Sequence, residues 1–274
     1  MGQEITTAEL ENIAKKLRLA VITMSHAAQT AHLAGSLSCV DIVTALYWRF
    51  LKIDPNNPMD PLRDRFILSK GHAASTQYAA LAMRGFFDLE LLNTFAQDGS
   101  ALAEHPGPQC VPGIEAATGS LGHGLSMGLG FALAAKLNKQ TYRVWVVLSD
   151  GECNEGTVWE AAMFAPAQNL GNVTAIVDFN KWQATSRSTE TLALEPLADK
   201  WRAFGWGVRE INGHDMSAIV DALAQSTTSQ NTPQVIVAHT TKGKGVSFME
   251  DDNNWHYRAP TIEEVEKARI ELGL

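Results

Sequence analysis

Two short segments set oxygen-bearing side chains at the ends of apolar runs. Residues 144–148 lead into Ser149-Asp150-Gly151-Glu152, and residues 173–177 lead into Asp178-Phe179-Asn180. Asp150 and Asn180 are 30 positions apart, the span of one strand–helix–strand crossover. If the two strands are neighbours, a right-handed connection sets both side chains at one edge of the sheet. A carboxylate beside an amide oxygen suits Mg²⁺ or Ca²⁺, cations that prefer oxygen donors. One formal charge from the protein suffices if a phosphate ligand brings the rest. Gly151 would let that phosphate approach the backbone and accept its N–H. The same residues also read as an Asp-Gly turn and an Asn helix cap, both favoured locally.

Histidines form the second group. Of eight, six lie in or beside Gly-, Ser- or Pro-rich stretches: His32, His72, His105, His123, His214 and His256. A single histidine is usually a structural hydrogen-bonder. Several converging on one sheet edge need another explanation, because each buried imidazole requires a polar partner. Neutral imidazoles could bind sugar hydroxyls and move protons near neutral pH. Zinc held by histidines alone is a rival, but no two of the six have the i, i+4 spacing that favours it.

The elements that must position these groups follow from periodicity. Thr6 and Glu9 have capping-box spacing, with Leu10, Ile13, Leu17 and Val21 on one helical face. A second helix is predicted over 38–51, a strand over 65–69 and a helix over 73–83. Residues 98–124, rich in Gly, Pro and His, read as a long loop, which inside a compact domain is usually functional. Strands at 143–149, 172–179, 207–211 and 234–238 then alternate with helices at 125–137, 157–168, 197–204 and 215–225. The strands are nearly continuous Val- and Ile-rich runs, as expected when helices cover both faces. The fold class is therefore α/β, a doubly wound parallel sheet, whose ligands gather beyond the carboxyl ends of the strands.

Two glycine motifs are weaker signals. Gly119-Ser120-Leu121-Gly122-His123-Gly124 resembles a dinucleotide fingerprint, but no buried strand precedes it. Close backbone approach to a flat ring, or tight helix packing through Gly124 and Gly128, is an equal reading. Lys242-Gly243-Lys244-Gly245 lacks P-loop spacing and reads as a mobile hinge.

Composition narrows the class. The 274 residues carry 22 Lys+Arg and 30 Asp+Glu, a net charge of −8, with no basic cluster; nucleic acid and membrane are not expected partners. No apolar stretch reaches the roughly 20 residues of a spanning helix, and no secretory signal is visible. Met1-Gly2 with Thr6 meets an acylation pattern only loosely. Three scattered cysteines give neither a disulfide framework nor a zinc motif. A cytoplasmic protein forming one domain over 1–274 is expected. Its seven tryptophans suit either interface anchors or core packing.

Seven segments, in order, resemble the amino-terminal, diphosphate-binding part of transketolases. They are Ala31-His32-Leu33-Ala34-Gly35-Ser36, Leu68-Ser69-Lys70-Gly71-His72-Ala73, Glu104-His105-Pro106-Gly107 and Thr118-Gly119-Ser120-Leu121-Gly122. Ser149-Asp150-Gly151-Glu152, Asp178-Phe179-Asn180-Lys181-Trp182 and Lys242-Gly243-Lys244-Gly245-Val246 complete the series. The resemblance implies thiamine diphosphate held through Mg²⁺ or Ca²⁺. Asp150 and Asn180 would be side-chain metal ligands, and Trp182, at a position usually filled by another residue, would lend its carbonyl. Gly151 would bind the diphosphate, with Glu152 beside it, while Gly119, Ser120 and Leu121 would meet the pyrimidine side. His32, His72, His105 and His256 match the active-site histidines. His105 would face the hydroxyl of the two-carbon unit, and His32 and His256 the oxygen at the bond cleaved or formed. His72 and His256 would also reach the diphosphate. Ser149 stands where glycine is usual, and His123 where glutamine is common, which suggests a supporting role for it.

The resemblance further implies transfer of a two-carbon ketol unit from a ketose phosphate to an aldose phosphate through a cofactor carbanion. Family members carry a second domain with a glutamate that activates the aminopyrimidine. No candidate for it remains here once the motifs are assigned. The expectation is one subunit of a split enzyme, with a partner carrying the pyrimidine-binding and C-terminal domains in an α2β2 assembly. Alternatives are half of a deoxyxylulose-phosphate synthase, the α-subunit of a 2-oxoacid dehydrogenase, or a silent assembly subunit.

Overall fold

The computed structural model describes residues 5–274, so the Met1-Gly2 pattern lies outside the described residues. Helix α1 (Thr7–Ala28) starts at the expected capping box: Glu9 N–H donates to Thr6 Oγ1 at 3.2 Å and Thr6 N–H to Glu9 Oε2 at 2.8 Å. Its buried stripe runs through Leu10, Ala14, Leu17 and Val21, with Ile13 half-buried.

The helix expected over 38–51 forms over 40–50, as α3 (Val40–Ala45) running on into a π-helical turn, Leu46–Phe50, while a separate α2 (Leu33–Ser38), not expected, ends just before it. Hydroxyls explain the break. Ser36 Oγ donates to His32 O at 3.1 Å, competing with the helical ladder, and Ser38 Oγ is drawn to Asp178 Oδ2 at 2.6 Å. Strand β1 (Arg65–Leu68) and helix α4 (Ala74–Met83) follow as expected. Residues 98–122 hold no helix or strand.

Then come α5 (His123–Leu137), β2 (Val144–Ser149), α6 (Gly156–Ala167) and β3 (Val173–Phe179). A one-turn helix α7 (Ser188–Thr191), α8 (Leu197–Ala203), β4 (Gly207–Asn212), α9 (Met216–Ser226), β5 (Gln234–His239) and α10 (Ile262–Leu272) complete the chain. Periodicity does not anticipate α7 or α10, although Thr261 and Glu264 cap α10 with the same box as α1.

All five strands are parallel, in the order β1-β2-β3-β5-β4. Alternate residues along each central strand feed opposite layers. Trp145, Val147, Ile176 and Ile236 join the core formed with α1 to α4, α9 and α10. Val144, Val146, Val177 and Val235 join the core under α5, α6 and α8. Trp145, Trp201, Trp206 and Trp255 are buried, so these four tryptophans are core residues. Gly128 packs so tightly on β2 that an added Cβ would lie 2.6 Å from Val146. No helix among the described residues is long and apolar enough to cross a membrane.

Candidate active site

Strands β2 and β3 are neighbours, with Ser149 paired to Asp178. Asp150 and Asn180 therefore leave adjacent strands at the same edge, as their spacing predicts. Asp150 is wholly buried. Its Oδ2 accepts from Lys181 N–H and Ser188 Oγ, both at 2.8 Å, while Oδ1 has no donor. Burial pushes this carboxyl up to about 6, only partly opposed by the Ser188 bond. An orphaned, buried carboxylate oxygen costs stability unless a cation meets it. Asn180, whose Oδ1 accepts from Trp182 N–H at 3.0 Å, lines the adjoining cleft. The donor set thus fits a hard divalent ion. Buried amides Asn154 Nδ2 and Gln183 Nε2 on the same wall also lack acceptors, which suits an oxygen-rich anion.

The cleft encloses about 570 Å³ at the carboxyl ends of the strands. His32, His72, His105, Gly119, Leu121, Gly151, Glu152, Asn180, Trp182 and His256 all line it. Asp150 sits beneath the wall, and Ser120 is exposed away from the lining. His123 is exposed at the start of α5, with its Nδ1 3.1 Å from Leu121 O. His214 lies elsewhere, with Nδ1 on Asp41 Oδ2 at 2.9 Å and Nε2 accepting from Thr241 N–H at 2.8 Å.

His32 is the hub of the imidazoles. Its ring centroid lies 4.9 Å from that of His256, 5.5 Å from His72 and 5.6 Å from His105. Burial lowers the pKa of His32, His72 and His256. Lys242 depresses His256 further, to about 3, and Lys70 acts likewise on His72. These three rings are therefore neutral near pH 7, able to accept as well as donate. Glu152 is not free to bind a ligand through its carboxylate. That group accepts from Ser69 Oγ, from Gly122 N–H at 2.8 Å and from Ser149 N–H at 3.2 Å. It braces the 118–122 loop against the ends of β1 and β2. Gly122 takes the left-handed φ of +83° there, and a Cβ would fall 2.4 Å from Thr157 Oγ1.

Lys242 is a lining residue that sequence reasoning missed. Its ammonium donates to Asn253 Oδ1 at 2.6 Å and approaches His256 Nδ1 at 3.1 Å; burial lowers it to about 8. The segment around it is not a mobile hinge. Gly243 N–H donates to Ala34 O, Arg18 Nε to Lys244 O and Asp251 N–H to Lys242 O, each at 2.8–2.9 Å. The sequence signal for Lys242 is its place in the Lys242-Gly243-Lys244-Gly245-Val246 segment of the resemblance, which gave the lysine no role. Beneath the cleft, Lys70 pairs with Asp178 inside the protein at 2.5 Å. At the rim, Trp182 Nε1 donates to Asp251 Oδ1, Arg187 grips both oxygens of Asp251, and its guanidinium lies 3.7 Å over the indole.

The glycines of 119–124 do not follow a strand, so they form no dinucleotide fingerprint, and Gly124 packs tightly on Ser69. Comparison with known proteins agrees with the geometry. The chain is 41% identical over 270 residues to an apulose-4-phosphate transketolase subunit of Phocaeicola vulgatus, covering 98% of this chain and 95% of that one. It is 42% identical over 268 residues to a 6-deoxy-6-sulfo-D-fructose transketolase subunit of a Clostridium species, covering 98% and 96%. The solved transketolase of Campylobacter jejuni superposes with a TM-score of 0.92 at 32% identity, over 99% of this chain and 43% of that one. The chain thus spans about two-fifths of solved transketolases. Residues 10–274 match the model for "Transketolase, thiamine diphosphate binding domain", and a correspondence running through nearly every residue makes this chain a member of the transketolase family.

Proposed function

We propose that this chain is the diphosphate-binding subunit of a two-chain transketolase that moves a two-carbon ketol unit between sugar phosphates. The observation that carries the reading is the orphaned Oδ1 of Asp150 beside Asn180, under a cleft lined by four histidines. Thiamine diphosphate, when bound, supplies the carbon that adds to the ketose carbonyl and holds the electron pair when the adjacent bond breaks.

The chain's own residues do the rest. Asp150 and Asn180 hold Mg²⁺ or Ca²⁺ with their side chains, and Trp182 through its carbonyl. Gly151 presents an N–H to the diphosphate, and Lys242, His72 and His256 line the same end of the cleft. Gly119 and Leu121 offer backbone to the pyrimidine side. His105 bonds the hydroxyl of the two-carbon unit. His32 and His256 hold the oxygen at the bond that breaks and carry its proton, a role worth about 10²–10⁴-fold in rate. Four imidazoles suit a polyhydroxylated substrate better than a 2-oxoacid.

The partner supplies the glutamate and the pyrimidine-binding domain, two of each chain forming the enzyme. Relatives of similar length are themselves named as transketolase subunits, which supports this reading. Exposed Met127, Met163 and Phe164 on α5 and α6 are apolar surface that a partner would cover. A pentose phosphate is the default donor; the relatives' apulose and sulfofructose derivatives are the alternatives to test.

Titration calorimetry with thiamine diphosphate and Mg²⁺, with and without the partner chain, is the decisive experiment. Metal-dependent binding that tightens with the partner, and ketol transfer only by the pair, are expected. Transfer by this chain alone would refute the split-enzyme reading.

A further inference from the structure

We propose that Glu104 is the positioning residue of His32: its carboxylate holds the hydrogen of the imidazole on Nδ1 and so keeps Nε2 bare for the substrate's proton. The inference rests on the transketolase reading for the identity of the substrate, but the contact itself does not. His32 Nδ1 lies 3.0 Å from Glu104 Oε1. An ionised carboxylate can only accept, so the hydrogen of this pair belongs to Nδ1. Nε2 of the neutral ring is then an acceptor, on an imidazole that lines the cleft.

The backbone at His32 is itself fixed. His32 sits in the left-handed region at φ 68°, just ahead of α2, and its N–H donates to His256 O at 2.6 Å. Five groups face it. His72, His105 and His256 come from three separate segments, and Lys242 adds a positive charge. Glu104 is the anion opposite them. It raises the basicity of His32 against burial and the neighbouring cations.

The step balances without a further reactant. As the carbon–carbon bond breaks, Nε2 takes the proton from the hydroxyl beside it. The O–H electron pair becomes the second bond of the new carbonyl, and the carbon–carbon pair stays with the two-carbon fragment. The imidazolium so formed faces Glu104. In the return half, Nε2 gives the proton to the new hydroxyl. A ring with its hydrogen on Nε2 could donate there but could not accept.

The test uses the full chain labelled with ¹⁵N-histidine, alone and with its partner, the His32 signals being assigned by their loss in His32→Gln. The expected tautomer of wild-type His32 is Nδ1–H, and Glu104→Ala should move it toward Nε2–H. In the assembled enzyme the same variant should lower kcat about 10- to 100-fold. Half-saturation by thiamine diphosphate should stay at the wild-type value, and the acid limb of the pH profile should move to lower pH. Should Glu104→Ala fail to fold, Glu104→Gln removes the charge and must shift the acid limb the same way. A wild-type His32 carrying hydrogen on Nε2, or a variant with unchanged kcat and acid limb, overturns the proposal. A wild-type complex that transfers no ketol unit sinks the transketolase reading instead, while the tautomer still judges Glu104.

Discussion

Lys70 Nζ lies 2.5 Å from Asp178 Oδ2, both side chains fully out of solvent, and the backbone carbonyl of Asp178 accepts from Asp150 N–H. A buried ion pair therefore stands one residue's reach beneath the proposed metal ligand. Burial alone would neutralise both groups. The partner's charge, the hydrogen bonds and the remaining neighbours together outweigh that effect, so Lys70 is raised and Asp178 lowered. Ser38 Oγ and Thr240 Oγ1 also donate to Asp178, tying α2 and the end of β5 to the same carboxylate. Lys70→Met should destabilise the chain by about 3–5 kcal/mol, because it strands a buried charge. Urea unfolding measures this, and Lys70→Met/Asp178→Asn should recover a large part of the loss.

Asp150→Asn removes the orphaned carboxylate but keeps the shape. The metal-free chain should gain about 1–3 kcal/mol, since an uncompensated buried anion is lost. Mg²⁺-dependent affinity for thiamine diphosphate should fall about 100-fold or more. Calorimetry and thermal melting read the two effects, and unchanged cofactor affinity would remove Asp150 from the metal site.

Acid should unfold the chain partly through its imidazoles. Burial, reinforced by Lys242 for His256 and Lys70 for His72, lowers both rings, His256 to about 3. The unfolded chain binds these protons at about pH 6.5. Stability is then lost as pH falls below that value toward the folded-state pKa, each ring adding a slope of up to about 1.4 kcal/mol per pH unit. Denaturation between pH 7 and 4 should be steeper in the wild type than in His72→Asn/His256→Asn.

Asp251 joins Trp182 and Arg187 at an exposed site, so Asp251→Ala should cost less than about 1 kcal/mol of stability. Its backbone N–H still supports Lys242, but the loop bearing Asn180 and Trp182 loses its latch. Half-saturating thiamine diphosphate should rise about 10-fold, in keeping with supports that orient metal ligands. An equilibrium binding curve checks this, and wild-type affinity would mean the latch is idle.

Periodicity made β2, β3 and β5 legible because both faces of each are buried, and the 30-residue spacing brought Asp150 and Asn180 to one edge. The break at Cys39 was hidden because serine hydroxyls, not hydrophobic spacing, decide it. Glu104 and the Lys70–Asp178 pair were not assigned roles because their partners are remote in sequence. Lys70 meets a residue 108 positions away and Glu104 one 72 positions away. Glu152 has the sequence position of a ligand, yet its oxygens are spent on three scaffold donors. Sequence marks where a group leaves its strand but not which way neighbours turn it.

Strand β5, the last to emerge during synthesis, is the one that seats between β3 and β4. Until residue 239 has left the ribosome, β3 keeps one edge open and β4 has no strand to pair with. Thr240, which clasps Asp178, arrives only after that strand. The nascent polypeptide thus cannot finish its binding pocket early. Truncation between β4 and β5 leaves a gap in the middle of the sheet, not a shortened margin.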